Sequence, residues 1–592
     1  MYFSTTIITT MRIATLVLAS CLLLLSCGNK AGKTETADMD KQFDAYKERF
    51  VEDLWNMYPG WASSVGYHKY DNVLQVPDAA HRDAELKFCS AHLDSLKAYK
   101  ADDLSDNNKT DMLMIKNQLE SGIWSINEMK SYEWDPSQYN VSEGFANMLN
   151  GNYDSLDNRL RNFYIKLQHV PAFYEAAKAN IKNPTEEHRQ LAIEQNIGGA
   201  SVFEKDLQDA LAQSHLSDAE KQQLTARAAE AITAMKGYAQ WLKDLKTESP
   251  RSFRLGKELY AKKFDHDIQS GYTAEEVYGK AVAHKKELHG KMAVLANRLW
   301  EKYMGNAAKP SDTLQLIRQV IDKISLKHTT PDAFQSTIEK QIPELTAFVK
   351  EKNLLYLDPS KPLVVRKEPA YMAGVAGASI NAPGPYDKNG NTYYNVGSLA
   401  AYSKEAAESF LREYNYYTLQ ILDIHEAIPG HYAQLVYSNQ SPSIVKAILG
   451  NGAMIEGWAV YSELMMLENG YGNNEDEIWL MYYKWNLRST CNTILDYNVH
   501  VNNMSKEDAM HLLVNEAFQQ QAEAEGKWRR VTLTQVQLCS YFTGYTEIYD
   551  LREELKKKMG SKFDLKAFHE KFLSYGSAPV KYIRDMMLKE MK

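Results

Sequence analysis

The chain has 592 residues, of which 44% are hydrophobic and 24% charged, with a formal net charge of -8. That is ample apolar material for a large buried core, and no basic stripe asks for nucleic acid. Five cysteines (Cys21, Cys27, Cys89, Cys491 and Cys539) include no Cys-x-x-Cys pair, which argues against a thiolate zinc site. With the first two in a leader segment, an odd number remains, which argues against a disulfide framework.

In chain order, Met11-Arg12 precedes an apolar run from Ile13 to Leu25. The run is too short for a good membrane span and has the form of an export signal. Leu24-Leu25-Ser26-Cys27 resembles a bacterial lipobox, so Cys27 is the expected lipidation site; an ordinary secretory signal cut nearby is the alternative. Residues 1–26 are then a signal peptide and 27–40 a polar tether. Residues 41–592 follow as one helical domain with two lobes, because no linker divides them. The location implied is the bacterial cell envelope, on a lipid anchor facing the periplasm.

The mature chain reads as mainly α. Ser217 and Glu220 form a capping box, followed by apolar positions Leu224, Ala228, Ile232, Met235, Leu242 and Leu245 near the 3.6-residue period. Thr273 opens a second long helix to about Tyr303, with Val277, Val282, Leu288, Met292, Leu295 and Leu299 as its apolar positions. Residues 363–398 break the pattern. Val364-Val365 and Tyr393 to Val396 read as strands, Gly374 to Ala378 as a flexible stretch, Asn381 to Pro385 as a loop, and Lys388-Asn389-Gly390 as a turn. A small β-hairpin or sheet beside the helices either holds an extended substrate by strand addition, with Asn395 a candidate contact, or is simply structural.

The chemistry concentrates in His-Glu-Ala-Ile-Pro-Gly-His, residues 425 to 431. Zinc hydrolysis needs neutral imidazole ligands, a carboxylate beside the attacking water and an open coordination position. The usual helical solution, His-Glu-x-x-His, offsets its ligands by only about 40° around the helix. Here the histidines are six apart, about 120° out of line on an unbroken helix. Pro429-Gly430 permits a bulge or local unwinding that returns His431 to the metal. Otherwise the segment is a histidine-bearing helix end closed by Pro-Gly.

Downstream, Glu456 and Glu463 are seven apart and share a helix face to within about 20°. An apolar helix with two such carboxylates suggests a third metal ligand, Glu456, and a second carboxylate, Glu463, that orients a ligating histidine. Exposed glutamates on an amphipathic helix are the alternative. Tyr541, or else Tyr545, is a candidate oxyanion partner, and Arg530 a candidate carboxylate binder. Tyrosines are so numerous here that any one of them is more often structural. His500 and His511 are further candidates, although a lone histidine is more often simply hydrogen-bonded.

His425 to Gln434 and Glu456 to Glu463, supported by Arg530, Gln537, Tyr541, Gly544 and Leu551-Arg552, resemble the DUF885 family of bacterial proteins. That family's arrangement is in turn similar to helical gluzincin metallopeptidases of the angiotensin-converting-enzyme and dipeptidyl-peptidase III groups. The resemblance implies a large two-lobed helical fold with a central cleft. It also implies Zn(2+) held by His425, His431 and Glu456, with Glu426 as general base and a peptide substrate. The expected activity is that of an envelope-anchored zinc peptidase acting on short peptides. The alternatives are a non-catalytic peptide-binding lipoprotein and a zinc hydrolase of a non-peptide amide or ester.

Overall fold

In the computed structural model the described residues are 37–368, 378–387, 390–400 and 402–590. The signal peptide, Cys27 and most of the tether lie outside them, as do Gly374 to Gly377 and Lys388-Asn389. Helix already runs through 37–57. Asp40 ties it down by accepting hydrogen bonds from the Ser105 amide (3.0 Å) and from Asn108 Nδ2 (2.9 Å). Among the described residues no helix is long and apolar enough to cross a membrane.

The fold is helical with one small sheet, as the sequence predicts. The expected capping box forms at the start of α1 (Asp218–Asp244), and a second, between Thr273 and Glu276, starts α2 (Ala274–Met304). The predicted stripes are buried apart from Ile232, Leu245 and Val282; Val282 is 40% exposed. Two apolar cores result. The buried residues of the smaller all lie within 139–242, with Leu74, Tyr132 and Leu245 packing against them, and the larger holds apolar residues of the N-terminal helices and of the chain from Leu255 onward. Polar contacts cross between these regions: His188 Nε2 donates to the Leu533 carbonyl (3.1 Å), and Arg529 pairs with Glu194 (2.5 Å).

The sheet contains β1 (Leu363–Lys367), β2 (Ala378–Asn381) and β3 (Thr392–Val396), in the order β1-β3-β2. β3 pairs parallel with β1 and antiparallel with β2. The sequence signals β1 and β3 but not β2, whose four residues are too short and too weakly apolar to stand out. β3 is therefore central rather than an edge. Its Tyr394 hydroxyl donates to buried Asp423 (2.8 Å), which fastens the sheet to α3 (Tyr416–Glu426).

Five more helices shape the site. α4 is His431–Asn439 and α5 is Gly452–Glu468. α6 is Asp476–His500, α7 is Gln521–Leu533, which carries Arg530, and α8 is Ser540–Met559. α5 is apolar almost all round and is accordingly buried. It crosses α8 at Gly457 and Gly544. A Cβ on Gly544 would stand 1.7 Å from the Ala453 carbonyl oxygen, so this close approach requires glycine.

Candidate metal centre

Asn415 starts α3 by accepting from the Tyr417 and Thr418 amides (3.2 and 3.3 Å). The helix carries His425 and Glu426 in its last turn and stops there. Ala427 leaves the helical region (φ −112°, ψ −88°), as does Gly430 (φ −71°, ψ −128°), and α4 begins at His431. The bulge allowed by the sequence is thus a full break between two helices. A Cβ on Gly430 would lie 1.9 Å from the His425 carbonyl oxygen, so the chain can double back only with glycine at that position. Trp458 of α5 clamps the break by donating its indole N–H to the Pro429 carbonyl (2.9 Å).

The break brings the two imidazoles together at right angles, with ring centroids 4.8 Å apart. Glu456 arrives from α5 with its Oε2 3.4 Å from His431 Nε2 and 3.8 Å from His425 Nε2. One ligand atom from each of the three residues lies within 4.8 Å of the others. Ligands about 2.0–2.2 Å from a tetrahedral ion sit roughly 3.4 Å apart. The donor set therefore fits one divalent ion after small adjustments. Glu456 Oε2 is buried and has no hydrogen-bond partner among the described residues, a costly state that an ion would relieve.

Glu463 stands behind His425. Its Oε1 accepts from His425 Nδ1 (2.7 Å) and from Trp485 Nε1 (3.0 Å). This fixes the proton on Nδ1 and turns Nε2 toward Glu456, the second-carboxylate arrangement common behind ligating histidines. Burial opposes charge on His425, but Glu456 and Glu463 outweigh it and lift the imidazole to about 10. Burial also works against ionised Glu456, yet the two histidines hold its carboxyl well below the usual range. The pocket thus favours positive charge at its centre, and a divalent ion would supply it by displacing a proton. Burial raises Glu426 above its ordinary value, with the two histidines opposing. A raised carboxyl beside a metal set suits a group that must accept and return a proton.

Arg530, Gln537 and Tyr541 also converge. Arg530 Nη2 donates to Gln537 Oε1 (2.7 Å) and to the Tyr541 hydroxyl (3.1 Å). Burial raises Tyr541, and the charge of Glu456 adds to the effect, which places this tyrosine within electrostatic reach of the donor set. Other candidates stay apart. Tyr545 packs against Tyr549, and Tyr482 hydrogen-bonds its hydroxyl. His500 donates Nε2–H to the Val531 and Thr534 carbonyls (2.9 and 3.0 Å), and His511 is largely exposed beside Glu516. Asn395 alternates with Tyr394 along β3 and so faces away from α3, where its Oδ1 accepts from Arg366 Nε (2.7 Å). Trp458, Trp485, Tyr394 and Asp423 escape the sequence reading, because nothing in their spacing marks them as supports of the site.

Residues 59–587 match the family described as "Bacterial protein of unknown function (DUF885)". The chain belongs to the DUF885 family. This DUF885 chain is 55% identical to a protein from Shewanella oneidensis described as a candidate lipoprotein of unknown function. That solved structure superposes with a TM-score of 0.84, covering 92% of this chain and 99% of the other. A candidate lipoprotein from Colwellia psychrerythraea shares the fold at 16% identity, with a TM-score of 0.75 over 93% and 99% of the two chains. No curated protein matches.

Proposed function

We propose that this DUF885 protein is a zinc-dependent peptidase held at the bacterial cell envelope and acting on short peptides. The observation that carries the reading is the convergence of His425, His431 and Glu456, with Glu426 next to His425 in the chain and electrostatically coupled to both histidines, and Glu463 behind. The lipobox-like sequence ending at Cys27 supports the envelope location, as does similarity to a candidate lipoprotein. Zinc held by the three donors would polarise the scissile carbonyl and acidify the attacking water. Glu426 takes the proton of that water and returns it to the leaving amine. Glu463 keeps His425 in one tautomer and one orientation. Tyr541 donates toward the developing oxyanion.

The test is metal analysis of the purified protein combined with peptide turnover by wild type and Glu426→Gln. One zinc per chain is expected, with turnover falling by at least about 100-fold in the variant. Absence of stoichiometric metal, or undiminished turnover, overturns the reading.

A further inference from the structure

Two buried side chains a turn apart on α6, Asp496 and His500, take no part in the chemistry above, yet both reach the short connection between α7 and α8. His500 holds its first half through the carbonyls of Val531 and Thr534. Asp496 holds the second half. Its Oδ1 accepts from the Val536 amide (3.3 Å), and the Leu538 and Cys539 amides face the same carboxyl group. These amides belong to the 3₁₀ turn Gln537–Cys539 and the residue before it, and the turn runs directly into α8. One acid and one imidazole on a single helix thus bracket the whole connection.

The bracketed backbone is strained. Val536 is fully buried at φ +70°, in the left-handed region. A β-branched residue keeps that conformation only where its surroundings enforce it. The next residue, Gln537, accepts from Arg530, and Arg530 also donates to Tyr541 in the first turn of α8. Val536 therefore sets the direction in which Gln537 and Tyr541 leave the connection. Asp496 is also expensive for packing alone. Burial pushes it up to about 7 against the pull of the amides, and among the described residues no lysine or arginine pairs with it. What it supplies to the fold is a hydrogen-bond acceptor at one strained turn.

We propose that Asp496, with His500, is a positioning residue: the pair holds Val536 in its strained conformation and so aims the Tyr541 hydroxyl at the metal centre. The inference rests on the role given to Tyr541 in the peptidase reading.

Placement and use are tested separately. Asp496→Leu removes the acceptor, whereas Asp496→Asn keeps one amide oxygen for the Val536 N–H. In a crystal structure of Asp496→Leu, Val536 should leave the left-handed region and the Tyr541 hydroxyl should part from Arg530, with His425, His431 and Glu456 unmoved. Tyr541 in its original place overturns the proposal without reference to turnover. In peptide hydrolysis, Asp496→Leu should lower kcat by about tenfold or more and leave KM within about twofold, because an oxyanion contact acts only in the transition state. Asp496→Asn should restore kcat to within about threefold of wild type. In a Tyr541→Phe background Asp496→Leu should cost less than about twofold, since the group it positions is already gone. An equal loss in both backgrounds makes Asp496 merely structural and overturns the proposal, as does a Tyr541→Phe protein as active as wild type. Should Asp496→Leu not fold, His500→Phe keeps the ring, withdraws the donor from the other half and is judged by the same structure and the same cycle. Wild type without turnover overturns the peptidase reading, and the crystal structure of the variant still decides whether Asp496 places Tyr541.

Discussion

Glu463 shows how one side chain governs a centre it never enters. Its carboxylate fixes the tautomer and orientation of His425, so Glu463→Gln leaves all three donors in place but presents His425 less firmly. Zinc affinity measured by chelator competition should weaken by about 10- to 100-fold; unchanged affinity would show that Trp485 and packing suffice. His569 tests burial at another position. It donates Nδ1–H to the Leu354 carbonyl (2.8 Å) and accepts from the Tyr461 hydroxyl (2.8 Å), so its neutral form is the one the fold holds. Burial pushes it down to about 4 from an ordinary 6.5. Below 6.5 the unfolded chain takes up a proton that the folded chain refuses, so this contribution to stability is complete above 6.5 and drains away toward pH 4. The stability advantage of wild type over His569→Gln should shrink across that window, by up to a few kcal/mol. Urea midpoints for both proteins at each pH would reveal it, and a constant gap would refute it.

At the scale of elements, the site depends on two close approaches made possible by glycine. Gly544 lets α8 lie against α5, the helix that carries Glu456 and Glu463. A methyl group there meets the Ala453 carbonyl, so Gly544→Ala should destabilise the protein by about 1–3 kcal/mol. It should also lower zinc occupancy by displacing α5; a variant with wild-type stability and zinc content would show that the crossing yields freely. The sequence conveys part of this. Helix starts are legible at Ser217 and Thr273 because capping chemistry is local. The histidine pair is legible because Pro429-Gly430 advertises a distortion. Pro429-Gly430 also marks the end of α3, but no local pattern announces that a new helix begins at His431 with the break clamped by Trp458, 29 residues on from Pro429. β2 escapes for a similar reason: Ala378 to Asn381 become a strand only by pairing with β3.

For the molecule as a whole, composition foretells a large buried core and the helical periodicity a mainly α body, which the capped helices α1 and α2 bear out. The partition into two apolar cores is not written in any linker: the buried residues of the smaller core form one stretch of the chain, joined to the larger region by polar contacts such as His188 to Leu533. Charges are the least legible feature: Arg488 and Lys527 resemble the ordinary surface residues of amphipathic helices until their neighbours are known. The Trp458 contact has one more consequence. Glu456, Trp458 and Glu463 all belong to α5, so a single rigid helix supplies a donor, secures the loop between the other two and steers His425. If the three donors hold an ion, their backbone spacing is settled when the chain folds, and little backbone ordering entropy would be subtracted from ion affinity. Empty and loaded protein should then differ at the centre in protons and small side-chain shifts, with the backbone of residues 424–431 unchanged.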